Sequence, residues 1–525
     1  MFFSCCVKGS VKNINGWKKV YKSMYEWLNM WAEQYGGHEA LCDNKGSYSY
    51  ESLNTSVKNL SIGFADMGLR KSDKVILQLD NCNEFVIVCF ALMSMGVIPI
   101  LAVPGLRVND LDIIAKKANP VMYIRPDEYM GFIYAETGRK LQIMNPSIKY
   151  VLGTSDINKM MEQSNNSAVE IEQPKAEDIG LILLSGGTTN IPKLIPVTHY
   201  AFAYHASEAG KTCRFNRETI YMAVMPVEHK LTLFSPGIMG TLFCGGKVVM
   251  CSDSSCETAF SLIEEEQVNV VSLVPSVAKM WVEDLEWDDS YDFSSLKYCM
   301  LGGAKLEETD ARKIMDSLNC DIIQGYGMSE GFLSLSTWKD SAYERINYQG
   351  KPMSDEDQVI IVDDDGKEQP YGIEGEILVK GPYLFSGYYE MDSSECFNAD
   401  GFYHTGDLGY ITADGYIKIT GRKSDQINRM GEKIMPSEIE NYLAEHEKIM
   451  EVVVMGIPDT MLGERSCAFL RMAKGNVKPE ELREHLSKKG VAQYKIPDQM
   501  ILLDEFPHTA TGKINKRMLL TMANK

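Results

Sequence analysis

The segment Leu183–Lys193, LLSGGTTNIPK, runs from an apolar stretch into two glycines and three hydroxyl residues and closes on a lysine. Glycines let backbone N–H groups approach an anion closely, hydroxyls add donors and the lysine adds charge. Ser185, Gly186, Gly187, Thr188, Thr189 and Lys193 therefore form a candidate phosphate cradle. It is not the nucleotide loop G-x-x-x-x-G-K-[ST], because no Gly-Lys-Ser/Thr follows. Taken alone, such a stretch is more often only a turn. GYGMSE, Gly325–Glu330, offers an aromatic, a hydroxyl and a carboxylate in succession. Tyr326 can stack on a base, Ser329 can touch a phosphate and Glu330 can ligate Mg²⁺ through oxygen, or Glu330 simply caps the turn. YHTGDLG sets Asp407 between two glycines, where a carboxylate can accept two ribose hydroxyls or act as an ordinary turn cap. HTATGKINK places Lys513 in a glycine-bearing loop, where a lone lysine is normally solvated.

These segments need elements to hold them. Apolar runs precede several of them: Ile179–Leu184 leads into SGGTTN, Val268–Val274 into PS, Tyr298–Leu301 into GGA and Asp321–Ile323 into QGYGMSE. Helical patterns over Trp17–Tyr35 and Tyr50–Met67 alternate with strands expected at Lys74–Gln78 and Val97–Val103. That alternation predicts βα units around a parallel sheet covered on both faces. Ligand sites in such sheets gather at the carboxyl ends of strands, so four such loops point to one shared site. From Val359 the texture changes to short strands with Asp-Gly turns, as in VIIVDDDGKE and GYITADGYIKITG, which reads as antiparallel β. After GRKSDQ it becomes mixed again: a helix at Pro436–Glu447, a strand at Glu451–Ile457 and a helix at Lys478–Lys489. The fold class is thus α/β: a large N-terminal domain of parallel sheets with flanking helices and a β-rich subdomain, residues 1–421, and a small α+β domain, residues 422–525.

The 525 residues suit about two to four domains, and 45% hydrophobic with 24% charged residues is ordinary globular composition. A formal charge of −19 argues against nucleic acid and anionic membrane as partners, so any anionic ligand must be held by local groups. The apolar stretch Phe85–Val103 is broken by Gly96 and Pro99 and reads as a buried helix followed by a strand. The N-terminal residues lack a signal-peptide pattern. The 13 cysteines form no CxxC pair, which predicts reduced thiols and a cytoplasmic protein.

Together and in this order, LLSGGTTNIPKLIPVTH, GGAK, GYGMSE, YHTGDLG, GRKSDQINRMGEKIMPSEIE and TATGKINK resemble the core motifs of the adenylate-forming superfamily. That superfamily holds acyl-CoA synthetases, peptide-synthetase adenylation domains and luciferases. SGGTT-x-x-PKLIP, DQINR-x-GEKI and LGERSCAFL are most similar to stand-alone aryl-acid–AMP ligases such as the 2,3-dihydroxybenzoate activators. The resemblance implies ATP as substrate and Mg²⁺ as cofactor, with the substrate carboxylate attacking the α-phosphate as pyrophosphate leaves. It implies that Ser185–Thr189 with Lys193 hold the β/γ-phosphates, that Thr189 or Ser329 touches the α-phosphate, and that Glu330 ligates Mg²⁺. Gly302, Gly303, Ala304, Gly325, Tyr326 and Gly327 would bound the adenine slot, and Asp407 with Arg422 would take the ribose. Thr189, Glu330 and His229 join Lys513, which reaches the carboxylate and α-phosphate once the small domain closes. The small domain then rotates for thiol attack, turning at Ser424, where the family usually carries Asp or Lys.

The same resemblance draws the acid pocket from His229, Lys230, Leu231, Phe234, Ser235, Ser272, Met300, Gly302, Gly325, Leu333 and Ser334. Amino-acid-activating relatives carry an aspartate at the position of Lys230, so a lysine there disfavours an α-ammonium. Dihydroxybenzoate ligases carry asparagine there. Lys230 can donate to an ortho hydroxyl, pair with a phenolate or second carboxylate, or snorkel out of the pocket. Phe234 and Met300 suit a flat ring or short chain. The chain leaves no room for a fused carrier domain after Lys513, so the acceptor is expected to be a separate carrier protein, or alternatively coenzyme A.

Overall fold

The computed structural model describes residues 22–162, 171–185, 192–288, 290–304, 306–430, 432–472, 477–508 and 514–523. Two compact units emerge. One comprises the residues up to Gln358 with Lys380–Gly401; the other comprises Val359–Val379 with Phe402 onward.

Among the described residues, the first unit carries a nine-stranded and a six-stranded sheet. In the larger, Tyr298–Leu301 lies parallel between Val270–Leu273 and Asp321–Gly327, and antiparallel pairing begins only with Leu333–Leu335. In the smaller, Ile98–Leu101, Lys74–Leu77, Met122–Arg125 and Tyr150–Gly153 run parallel, while Leu194–Thr198 returns antiparallel on Ile179–Leu184. IPIL is apolar and buried throughout, and KVIL is so after its half-buried lysine, as parallel strands covered on both faces require. The long apolar stretch resolves as expected into a helix, Asn83–Ser94, buried on every side, followed by a strand. No helix among the described residues is long and apolar enough to cross a membrane.

The first described helix runs over Met24–Tyr35, and residues 17–21 of the expected helix lie outside the described residues. Ser23 caps it, accepting the Glu26 N–H while the Glu26 carboxylate accepts the Ser23 N–H. The strand expected at Asp321–Ile323 continues to Gly327, because Leu333–Leu335 folds back on it. None of the described cysteines forms a disulfide, and most are buried.

The second unit combines the antiparallel strands Gly375–Lys380, Tyr403–Ile411 and Ile417–Arg422 with a mixed sheet built on Ile449–Asp459 and Gly463–Met472. The Asp-Gly turns at 365/366 and 414/415 appear with left-handed Gly366 and Gly415. Position 421/422 lies at the end of the strand Ile417–Arg422, and Ser437 donates to the Thr420 carbonyl at 2.5 Å.

Candidate active site

The hairpin of Ile179–Leu184 and Leu194–Thr198 closes on a reciprocal pair. Ser185 donates its backbone N–H to the Lys193 carbonyl at 3.0 Å, and Ser185 Oγ accepts the Lys193 N–H at 3.0 Å. This stem presents the loop between them. Gly186, Gly187, Thr188 and Thr189 lie outside the described residues. Lys193 Nζ sits 4.4 Å from the ring centroid of Tyr388. The Tyr388 hydroxyl donates to Glu330 Oε1 at 2.8 Å, so one aromatic residue joins the cradle lysine to the candidate metal carboxylate.

Glu330 itself stands on a turn after strand Asp321–Gly327. Gly331 N–H donates to the Met328 carbonyl, Met328 N–H to that of Phe332, and Phe385 N–H to that of Glu330 at 2.7 Å. Gly331 has φ +141°, and a Cβ there would strike the Tyr383–Leu384 backbone, so the residue must be glycine. Ser329 and Glu330 are left half-buried.

Lys230 does not snorkel; the residue is only 8% exposed. Its Nζ donates to the carbonyls of Met328 at 2.9 Å, Phe332 at 3.2 Å and Gly331. Its ammonium is thus engaged by the turn that bears Glu330, which bears on both other readings of this lysine. Burial pulls its pKa down to about 7, with the Glu330 and Asp357 carboxylates acting the other way. Asp357 is pushed up to about 7 by burial, against the Tyr383 hydroxyl that donates to its Oδ2 at 2.5 Å.

The other pocket candidates collect at the carboxyl ends of neighbouring strands. Ser272 and Met300 stand opposite each other in register, and both are buried. A Cβ on Gly302 would lie 3.3 Å from the Gly325 carbonyl and 3.8 Å from Leu231 Cδ2, so these three converge. Gly303 follows at φ +82°, turning the chain ahead of the exposed Ala304. Tyr326 pairs with Ser334 and Gly327 with Leu333; Ser334 Oγ donates to the Gln349 carbonyl at 2.7 Å. His229 caps the short helix Lys230–Phe234, whose Phe234 packs on Phe202 and His205. Ser235 Oγ lies 2.7 Å from His205 Nε2. Burial holds His205 well below the usual histidine range, reinforced by Lys230 and opposed by a hydrogen bond to the Gly331 backbone.

The second unit supplies Asp407 and Arg422, opposite each other across two antiparallel strands. Arg422 Nε donates to Asp407 Oδ1 at 2.6 Å. Glu376 frames the same strand: its Oε1 accepts the Gly406 N–H at 3.3 Å and lies 3.3 Å from His404 Nδ1, and its Oε2 accepts from Lys423 Nζ at 3.2 Å. Ser424 is exposed within the one-turn helix Lys423–Asp425. Asp425 accepts from Lys516 Nζ at 2.6 Å, which ties that turn to the GKINK segment. Lys513 lies outside the described residues, but the stem of its loop is closed by a bridge between His508 and Ile514.

Among the described residues, no group of three or more His, Cys, Asp or Glu side chains could hold a metal ion. A single carboxylate still fits Mg²⁺, which is usually held by one or two carboxylates together with substrate phosphates. Three features escaped the sequence reading. Tyr388 and the Asp357–Tyr383 pair sit in loops with no motif spacing of their own. Glu376 lies in EGEILVKG, read only as a strand.

The first unit thus holds a phosphate-type hairpin with its lysine and a carboxylate turn, and the second unit holds a carboxylate–arginine strand pair. The chain belongs to the AMP-binding enzyme family: residues 28–389 match its main domain and residues 438–513 the AMP-binding enzyme C-terminal domain. It is 36% identical over 492 residues to the 2,3-dihydroxybenzoate-AMP ligase of Bacillus subtilis, covering 93% of this chain and 91% of that one. It is 37% identical over 507 residues to the vibriobactin-specific 2,3-dihydroxybenzoate-AMP ligase of Vibrio cholerae, covering 95% and 93%. The apo structure of MbtA from Mycobacterium smegmatis is 32% identical with a TM-score of 0.72, covering 95% of this chain and 94% of that one. The expected likeness to aryl-acid–AMP ligases and the expected α/β fold are borne out.

Proposed function

We propose that this protein uses ATP and Mg²⁺ to convert an aryl carboxylic acid into its acyl-adenylate, then passes the acyl group to the phosphopantetheine thiol of a separate carrier protein. The observation that carries this reading is the chain of contacts from Lys193 through Tyr388 to Glu330, with Lys193 on the cradle stem and Glu330 on a braced turn. The cradle Ser185–Thr189 and Lys193 hold the β/γ-phosphates, Ser329 or Thr189 touches the α-phosphate, and Glu330 supplies an oxygen to the metal. Mg²⁺, when bound, neutralises phosphate charge. Asp407 accepts the ribose hydroxyls with Arg422 orienting it, and Gly302–Ala304 with Tyr326 bound the adenine. Lys513 stabilises charge developing between carboxylate and α-phosphate. Residues 422–525 act as the lid that brings Lys513 in and withdraws it, turning near Ser424. Buried Phe234 and Met300 support a flat ring in the acid pocket, as does the likeness to dihydroxybenzoate ligases.

Acid-dependent pyrophosphate exchange over benzoates, hydroxybenzoates, aliphatic acids and amino acids tests the first step. Hydroxybenzoates should lead and α-amino acids should be inert; preference for an amino acid or a long-chain acid would overturn the aryl assignment. AMP release on adding a holo aryl carrier protein, set against coenzyme A, tests the second step. Faster release with coenzyme A would replace the carrier with that thiol.

A further inference from the structure

Lys230 opens the short helix that carries Leu231 and Phe234 on the acid side of the site, yet its ammonium points to the turn that bears Glu330. An ammonium has three N–H donors. Here they are matched by three carbonyls, those of Met328, Gly331 and Phe332. None remains for a ligand. The three carbonyls bracket Ser329 and Glu330, one before and two after, so the position of Nζ fixes the backbone from which both side chains project. The Glu330 carboxylate is oriented separately, through Tyr388.

We propose that Lys230 is a positioning residue for the nucleotide–metal side of the site: it sets the Ser329–Glu330 turn through those three carbonyls and does not read substituents on the acid. The inference rests on the assignment of Glu330 to Mg²⁺ made above. Lysine suits the task physically. Its four-carbon stem spans from one element to the other within the packed interior, and its donors meet the Gly331 carbonyl and add to the Met328 and Phe332 carbonyls, which also accept the Gly331 and Met328 N–H groups. The Glu330 carboxylate favours its charged form.

The test is Lys230→Met, which keeps stem length and volume but removes every donor, assayed by pyrophosphate exchange with the acid that the wild type prefers. Half-saturating Mg²⁺ and KM for ATP should rise about 10-fold or more, as for loss of a group that supports a metal ligand. KM for the acid, and the ranking of acids, should move less than about twofold. Combining the change with Glu330→Gln should give a loss well short of the sum, because Lys230 acts through that carboxylate. If Lys230→Met does not fold, Lys230→Gln keeps two donors on a shorter stem and must show the same split. A rise in acid KM alone, an equal rise in both, or a reordered acid ranking overturns the inference. Absence of acid-dependent exchange in the wild type overturns the functional reading first and the inference with it.

Discussion

Replacing Tyr388 with phenylalanine removes one atom from the path between the proposed cradle and the carboxylate proposed to hold the metal. The ring stays, with its edge contact to Phe385 at 4.9 Å and the Lys193 ammonium 4.4 Å from its centroid. What goes is the 2.8 Å bond from the hydroxyl to Glu330 Oε1. A hydrogen bond to a charged group is worth about 1.5–3 kcal/mol net, and half-buried Glu330 belongs at the lower end, about 1.5 kcal/mol or close to tenfold. The loss should fall on Mg²⁺, because a carboxylate free to rotate must be reordered when metal binds. Pyrophosphate exchange at saturating ATP and acid, titrated with Mg²⁺, should show half-saturation raised about tenfold while the rate at saturating Mg²⁺ largely recovers. Tyr388→Leu also removes the buried platform under half-buried Lys193, worth about 1 kcal/mol between the exposed and desolvated limits, and should add a rise in KM for ATP of about fivefold. Superimposable Mg²⁺ titrations for the wild type and a folded Tyr388→Phe would refute the reasoning.

Asp407→Ala, which breaks the 2.6 Å pair with Arg422, should raise KM for ATP by about tenfold or more with little change in KM for the acid, as separate substrate titrations would show. In the second unit, Asp498 accepts from Arg429 Nε and Nη2 and from the Ser466 backbone and hydroxyl. Asp498→Ala should therefore cost about 2–3 kcal/mol, read as a lower denaturant midpoint for the transition of that unit. Asp357, raised by burial from 3.8 to about 7, keeps its proton in the native state across a window where the unfolded chain loses it. Its contribution to stability is thus fully present at low pH and lost as pH rises from about 4 to about 7, so Asp357→Asn should flatten that decline; parallel melting-temperature curves over the window would count against it.

The fold is legible wherever local pattern and burial agree. Apolar runs without alternation mark the parallel strands, the break at Gly96 and Pro99 separates helix from strand, and Asp-Gly pairs mark the hairpins. Motif order marks the segments; in the structure Ser185, Lys193 and Glu330 stand one to three residues outside a strand, while Asp407 and Arg422 lie within strands. Direction is harder to read than position. Nothing in the HKLTLFSP segment tells that the Lys230 ammonium donates to a turn 98 residues further on. Tyr388 reaches Glu330 across 58 residues from a loop whose own sequence carries no periodicity. DQINR and GERS read as family likeness; their Arg429 and Ser466 in fact meet on Asp498, a residue outside both motifs. In each case a polar group is satisfied by whichever partner the tertiary fold brings near, and a buried lysine must find its acceptors inside the protein or lose its charge. A side chain at a specificity position therefore reads a ligand only with the donors that the protein's own carbonyls have left to it.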